Sequence, residues 1–466
     1  MRLRPLLATL LLCGSLYGLS ETRLTIAPGG LAASVADIPT DETRLILDGE
    51  AGVDDLRLLT ELHSTIKAID ISALRIVAST TAKPLYGVAV FPADHLPAYV
   101  FATLSAEELI LPSTLRSIGE GALAGANVAD IRIPSSVATI GDYAFAGSSL
   151  CSITGGEGLL SIGKGAFQGC RHLTSADISS GKLSHLPDHL FSGCPSLSTL
   201  RLPSTIQSVG EMIIAGTRVA GINLPLLSHT ADYALAGAET LREVAIPKEA
   251  IMAEGLFASD RSLTTLSQTA SDVKALTYAG CSSLDIEPIL ANAEYVGADA
   301  FAGTRCERMV LGPDLLRIDS GAFTHIAGLS EINAEALGNQ LPLTAPDIFG
   351  DSDIGAIPLI VARGTLNLWK AHPVWGLFDI RESLSAQDIR DDSDGFRLFI
   401  KEGTIHASAP KAIDSLRVYT LSGTLLRASS PLTAEATLDI SDIQENIIIL
   451  TLTSGSHTES SKFILR

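Results

Sequence analysis

Aromatic residues are scarce: Phe, Trp and Tyr make up 5% of 466 residues, with two tryptophans, while glycine is abundant at 40. That balance favours short strands and tight turns over a helical bundle. Positive charge is also short, 33 Lys and Arg against 52 Asp and Glu. A nucleic-acid or anionic-membrane partner would want clustered bases, so both are excluded. No long run of one charge sign occurs, and the acidity reads as a solubility feature spread over the surface. Missing too are the Gly-x-Ser-x-Gly elbow, the phosphate loop and the dinucleotide fingerprint. The ten histidines are scattered. Only His185 and His189 have helical i, i+4 spacing, and Pro187 lies between them with no Glu after His185, so a metal site is not expected. No catalytic group, cofactor or metal is assigned, and the chain reads as a non-enzyme.

Long apolar runs are absent beyond the N-terminus. There, Arg2 and Arg4 precede Leu6 to Leu12, with small residues at Gly18 and Ser20. The order fits a signal peptide over 1–20, too short to span a bilayer. The leucines before Cys13 do not suit a lipid-anchored cysteine. The mature chain is expected to be exported, with no integral membrane segment.

What is present is a repeat. A large apolar residue followed by small, Gly, small recurs at Phe101, Leu123, Phe145, Phe167, Phe191, Ile214, Leu235, Phe257, Tyr278, Phe301 and Phe323, every 21 to 24 residues. A second phrase keeps step, fullest at Leu197-Ser-Thr-Leu200-Arg-Leu202-Pro203 and then Ile206, Val209 and Gly210. Val128, Ile131, Ile133, Pro134, Val137, Ile140 and Phe145 repeat it, and further copies start at Leu150, Leu173, Val219, Leu241, Leu263, Leu284, Cys306 and Leu329. The L-x-x-L-x-L core is the strand signature of leucine-rich repeats. Alternation turns Leu200 and Leu202 inward and Arg201 outward, Pro203 ends the strand, and stacked coils bury what one coil cannot. The predicted fold is a β-rich leucine-rich-repeat solenoid of about eleven coils, followed by a small C-terminal β-sandwich.

The phrases ELILPSTLRSIGEGALAG and IRIPSSVATIGDYAFAG resemble the BspA-type leucine-rich repeats of bacterial surface proteins. IKAIDISALRIV is similar to the lead-in of such proteins, and LIVARGTLNLWKAHPVWGLFDIRE, which holds Trp369 and Trp375, to the segment that closes them. The expected organisation is a lead-in and cap over 21–97, the solenoid over 98–350, a cap over 351–382, a linker over 383–395 and a sandwich over 396–466. LRVYTLSGTLLRA, ATLDISD, IIILTLT and TESSKFILR resemble the C-terminal sorting domain of type IX secretion cargo in Bacteroidetes. Asn446-Ile447-Ile448 stands where that family has Gly-x-Tyr. The resemblance implies secretion machinery as a partner of 396–466, and a final location at the cell surface or outside the cell, across the outer membrane.

Five cysteines follow the signal segment. Cys170, Cys194 and Cys281 share a slot that Ala126, Ser148, Thr217, Ala238 and Thr304 fill elsewhere, so small-residue packing is the first reading. Cys170 and Cys194 occupy it in adjacent coils, about 4.8 Å apart, where a disulfide is also geometrically open. The outward face of the strands is the candidate binding surface: Glu108, Ile110, Asp130, Arg132, Thr199, Arg201, Asn223, Glu243, Arg308 and Val310, with Gly221 and Ala245 between them. Mixed charges with small and apolar residues suit a protein partner. The resemblance implies an adhesin for host-matrix or bacterial-surface proteins. A structural envelope component and a secreted sequestering or inhibitory protein stay open as alternatives.

Overall fold

The computed structural model describes residues 20–62, 64–267, 271–383, 397–401, 404–443, 445, 447–455 and 457–464. The expected signal peptide, but for Ser20, and the expected linker, but for Ser383, lie outside them. The chain divides into two compact units, one running to Asn333 and including Gln340–Ile357, the other comprising Ala334–Asn339 and the chain from Pro358 onward.

The first unit is a leucine-rich-repeat solenoid. Its coil is clearest at Asp130–Ile133, where Ile131 and Ile133 are 3% and 0% exposed while Asp130 and Arg132 face solvent. That alternation follows from a strand with one face buried. Successive coils pair in parallel, Ile131 with Ile153 and Ile153 with Ala176. Two-residue strands such as Ser117–Ile118, Thr139–Ile140 and Ser161–Ile162 form a second parallel ladder on the return side. Between the ladders the large residues stack: the Phe145, Phe167 and Phe191 rings lie 5.2 Å apart in succession, and Phe257, Tyr278, Phe301, Phe323 and Phe349 continue at 5.4–5.9 Å. All are buried and offset-stacked, so they combine apolar burial with favourable ring geometry.

The ladder starts earlier than the sequence repeat. Glu21–Ile26 pairs in parallel with Arg44–Ala51, which pairs with Ala68–Ile76, which in turn pairs with Glu108–Ile110. The segment similar to a lead-in is thus continuous with the sheet. Its coils were hidden because short helices, Leu31–Ser34 and Val53–Leu59, replace the aromatic return, with Leu31 and Leu56 filling the core. A hairpin, Ser79–Leu85 with Val88–Phe91, lengthens the third coil and breaks the period. Two carboxylates tie these first coils. Asp55 accepts the N–H groups of Gly29, Leu31 and Gly52, at 2.7, 3.0 and 2.9 Å. Glu42 accepts the Ser20 and Thr22 hydroxyls and the Thr43 and Arg44 N–H groups.

At the downstream end the copy expected to start at Leu284 is not a strand. Its second apolar slot is Glu287, and Pro288 follows. An inward Glu would bury an unpaired carboxylate. The segment instead forms a one-turn helix, Glu287–Leu290, that buries Ile289 and Leu290 and interrupts the face. Proline in the first helical turn gives up an N–H that has no intrahelical partner there.

The second unit holds the strands Pro358–Val361 and Asp379–Glu382, paired in parallel, and Trp369 and Trp375, both fully buried and edge-on at 5.8 Å. It also holds two antiparallel sheets. One comprises Arg397–Lys401, Thr404–Ser408 and Glu435–Asp439; the other comprises Leu425–Ser429, Ser415–Thr420, Ile447–Ser454 and His457–Ile464. Ile405 and Ala407 of the first share a core with Leu416, Val418, Ile448 and Leu450 of the second, the packing of a small sandwich.

Candidate functional site

The outward positions of the strands form columns. In one, Glu108, Asp130, Ser152, Ser175 and Thr199 are register neighbours; in the next, Arg132, Thr154, Asp177 and Arg201 are. Parallel strands in register bring residues a coil apart within side-chain reach, which is why a 22-residue period yields a surface at all.

Most charges on this face are answered within the chain. Arg44 grips the Glu108 carboxylate through both terminal nitrogens, each at 3.2 Å. Ser152 Oγ donates to Asp130 at 2.5 Å, Arg132 meets Glu157 at 3.3 Å and Arg308 meets Glu331 at 3.1 Å. These pairs are exposed, so each contributes little stability, roughly 0–1 kcal/mol. Their effect is to set the pattern of charge. Thr199, Arg201, Asn223 and Glu243 make no side-chain hydrogen bond or ion pair among the described residues.

Two recesses open on the face. Glu108, Ile110, Asp130 and Arg132 line one of about 550 Å³, together with Ser152, Thr154 and Glu157. Arg201, Gly221, Asn223, Glu243 and Ala245 line another of about 690 Å³, with Ser204, Thr265 and Ser267. Thr199 lies beside the second recess. Arg308 and Val310 are in neither, cut off by the helix at Glu287–Leu290. Arg44 was missed because its coil carries no aromatic signature. Ser152 and Thr154 were legible from the copy starting at Leu150 by the same alternation that selected Asp130 and Arg132.

The remaining candidates resolve as structure. His185 Nδ1 pairs with Ser208 Oγ at 2.8 Å, whereas His189 sits in a left-handed turn at φ 56° with Nδ1 unpartnered, so the two do not converge. His95 Nδ1 likewise meets Ser117 Oγ at 2.6 Å, and burial lowers the histidine's pKa. Neither ring is hydrogen-bonded to a carboxylate among the described residues, so neither is oriented as a general base would be. Cys170 and Cys194 are free thiols rather than a disulfide. Each donates inward to a carbonyl of the preceding coil, Cys170 to Phe145 and Cys194 to Phe167, both at 3.1 Å. Thr217 and Thr304 donate to carbonyls in the same column at 2.7 Å, while Ala126 and Ala238 fill it without a donor, so the slot selects for small size and tolerates a hydroxyl or thiol. Asp260 departs from that pattern. Its Oδ1 accepts Ala238 N–H at 2.8 Å, but Oδ2 is buried without a partner, and burial pushes the carboxyl up to about 8.

Residues 94–219 and 250–342 match the BspA type leucine rich repeat region in six copies. Position 220, where the match lapses, adjoins a parting of the strand ladder described below. Among solved structures, a leucine-rich repeat protein from Bacteroides ovatus is similar at 20% identity, TM-score 0.53, over 74% of this chain and 84% of that one. One from Eubacterium ventriosum is similar at 13% identity, TM-score 0.36, over 63% and 86%. No curated protein matches the chain.

Proposed function

We propose that the protein is exported to the cell surface or released outside the cell, where it binds another protein through the outward face of its parallel ladder. Host-matrix and bacterial-surface proteins are the partner classes, which makes it an adhesin. The observation that carries this reading is the face itself, with charges of both signs, small and apolar residues, and two open recesses. A basic stripe for nucleic acid or an array of exposed rings for sugars would read differently. No helix among the described residues is long and apolar enough to cross a membrane. Residues 396–466 are assigned to the secretion machinery, with the paired antiparallel sheets as support.

The test is interferometry of the purified protein against matrix, serum and bacterial-surface proteins at two salt concentrations. Saturable binding weakened by charge reversal at Arg132 or Arg201 supports the reading. Binding indifferent to both moves the site off this face, and none across the panel favours a structural envelope role. Retention on cells separates an adhesin from a sequestering protein released to the medium. For the C-terminal unit, removing residues 396–466 should leave the chain inside the outer membrane.

A further inference from the structure

On the outward face the strand ladder parts between two adjacent coils, upstream of the break at the helix Glu287–Leu290. Thr199–Arg201 pairs back to Ser175–Asp177, and Gly221–Asn223 pairs onward to Glu243–Ala245, but no strand pairing joins the two segments. On the return side the same coils stay together: Ser208 pairs with His229, Val209 with Thr230, and Arg218 N–H reaches Leu197 O at 2.8 Å. The opening is therefore confined to the outward face.

Three features meet there. Leu200 and Leu202, inward by pattern, are half-exposed, whereas the equivalent Ile131 and Ile133 are fully buried. Gly221 places no side chain in the outward column between Thr199 and Glu243. Arg201 has no ion pair among the described residues even though Asp177 is its register neighbour; Asp177 instead accepts the Ser179 N–H and hydroxyl on Oδ1, at 3.2 and 2.6 Å. Arg44, Arg132 and Arg308 on the same face are each held by a carboxylate.

We infer that this opening is a docking slot for an extended segment of a protein partner, which lays aliphatic side chains on Leu200 and Leu202 and sets a carboxylate on Arg201. The inference rests on the strand-face reading and names the chemistry that reading leaves open. The lining runs from Ser179 to Ser267. Four strand steps of about 4.8 Å cover roughly 19 Å, the length of about six extended residues. A single unpaired arginine beside half-buried leucines suits a carboxylate in an apolar setting; a phosphate backbone would want several bases in a row.

The test is selection of dodecapeptides from a phage-displayed random library on the immobilised full chain, with the Arg201→Glu, Arg201→Gln and Arg132→Glu variants in parallel. Arg201 is exposed, so unchanged melting confirms that its variants fold. The wild type should enrich peptides with Asp or Glu beside aliphatic residues. A synthetic peptide from that pool should bind Arg201→Glu at least about tenfold more weakly, with Arg201→Gln in between. Peptides bound equally by wild type and Arg201→Glu, or no enrichment above a blank surface, overturn the slot. Loss on Arg132→Glu alone also overturns it, while leaving the strand-face reading intact.

Discussion

Tyr143 lies across Gly165 of the next coil: a Cβ at Gly165 would stand 2.6 Å from Tyr143 Cε1. Tyr143 holds a left-handed φ of 53°, and Gly165 occupies the same place in its own coil at 57°. Tyr99 over Gly121 and Tyr233 over Gly255 repeat the relationship. Each coil from Phe101 to Phe323 turns left-handed two residues before its large core residue, and a tyrosine there meets a bare glycine in the next coil.

Gly165→Ala should therefore cost more than its backbone angle alone. Left-handed strain contributes about 1–2 kcal/mol and the clash about 1–3 kcal/mol. Gly125→Ala, also left-handed but with open space around it, should show only the strain. Urea melts of both, and of Gly165→Ala with Tyr143→Ala, check this. The double variant should recover the clash contribution and keep the strain.

Asp260 gives a pH dependence with a definite sign. Its folded pKa of about 8 exceeds the ordinary value near 3.9, so the folded state holds a proton that the unfolded state releases. Stability contributed here is full below about pH 4 and falls as pH rises toward 8. Asp260→Asn keeps the acceptor for Ala238 N–H and removes the ionisation. It should match the wild type at pH 4 and exceed it by several kcal/mol, on the order of 5, at pH 8. Equal stability of the two at pH 8 would refute the assignment.

Within the aromatic stack, Phe167→Ala should cost about 3–5 kcal/mol, because it opens a void between Phe145 and Phe191. Phe167→Leu should cost about 1.5 kcal/mol or less. Thermal and denaturant unfolding would measure both. A small loss in the alanine variant would mean that neighbouring coils collapse into the gap.

The thiols should be inert in the folded protein. Among the described residues, Cys170, Cys194, Cys281 and Cys306 are buried, and Cys151 alone is partly exposed. A thiol reagent should label at most Cys151 rapidly and the rest only on unfolding. Cys170→Ser should fold with near-normal stability, since Ser148 fills that slot one coil earlier. Rapid labelling of Cys170 would contradict the packing.

The regular coils were legible because their signal is local and repeated: Ile131, Ile133 and Phe145 recur at a fixed period, and two alternating positions settle which side chains point out. The first coils escaped because Leu31 and Leu56 do the work of phenylalanine from helices, and their tethers, Asp55 and Glu42, reach groups twenty or more residues away as well as near neighbours. The copy at Leu284 was misread because period alone outvoted Glu287 and Pro288, whose chemistry forbids an inward strand position.

The sequence by itself determined that coils of this length stack, which residues fill them and which columns face outward, since period and alternation are properties of the chain. Only the tertiary structure decided where the stack is sound. That Arg44 answers Glu108 while Arg201 has no partner among the described residues, and that the ladder parts between Arg201 and Gly221, depends on contacts between coils. Such contacts are settled by how each coil seats on the next, and no single repeat contains them.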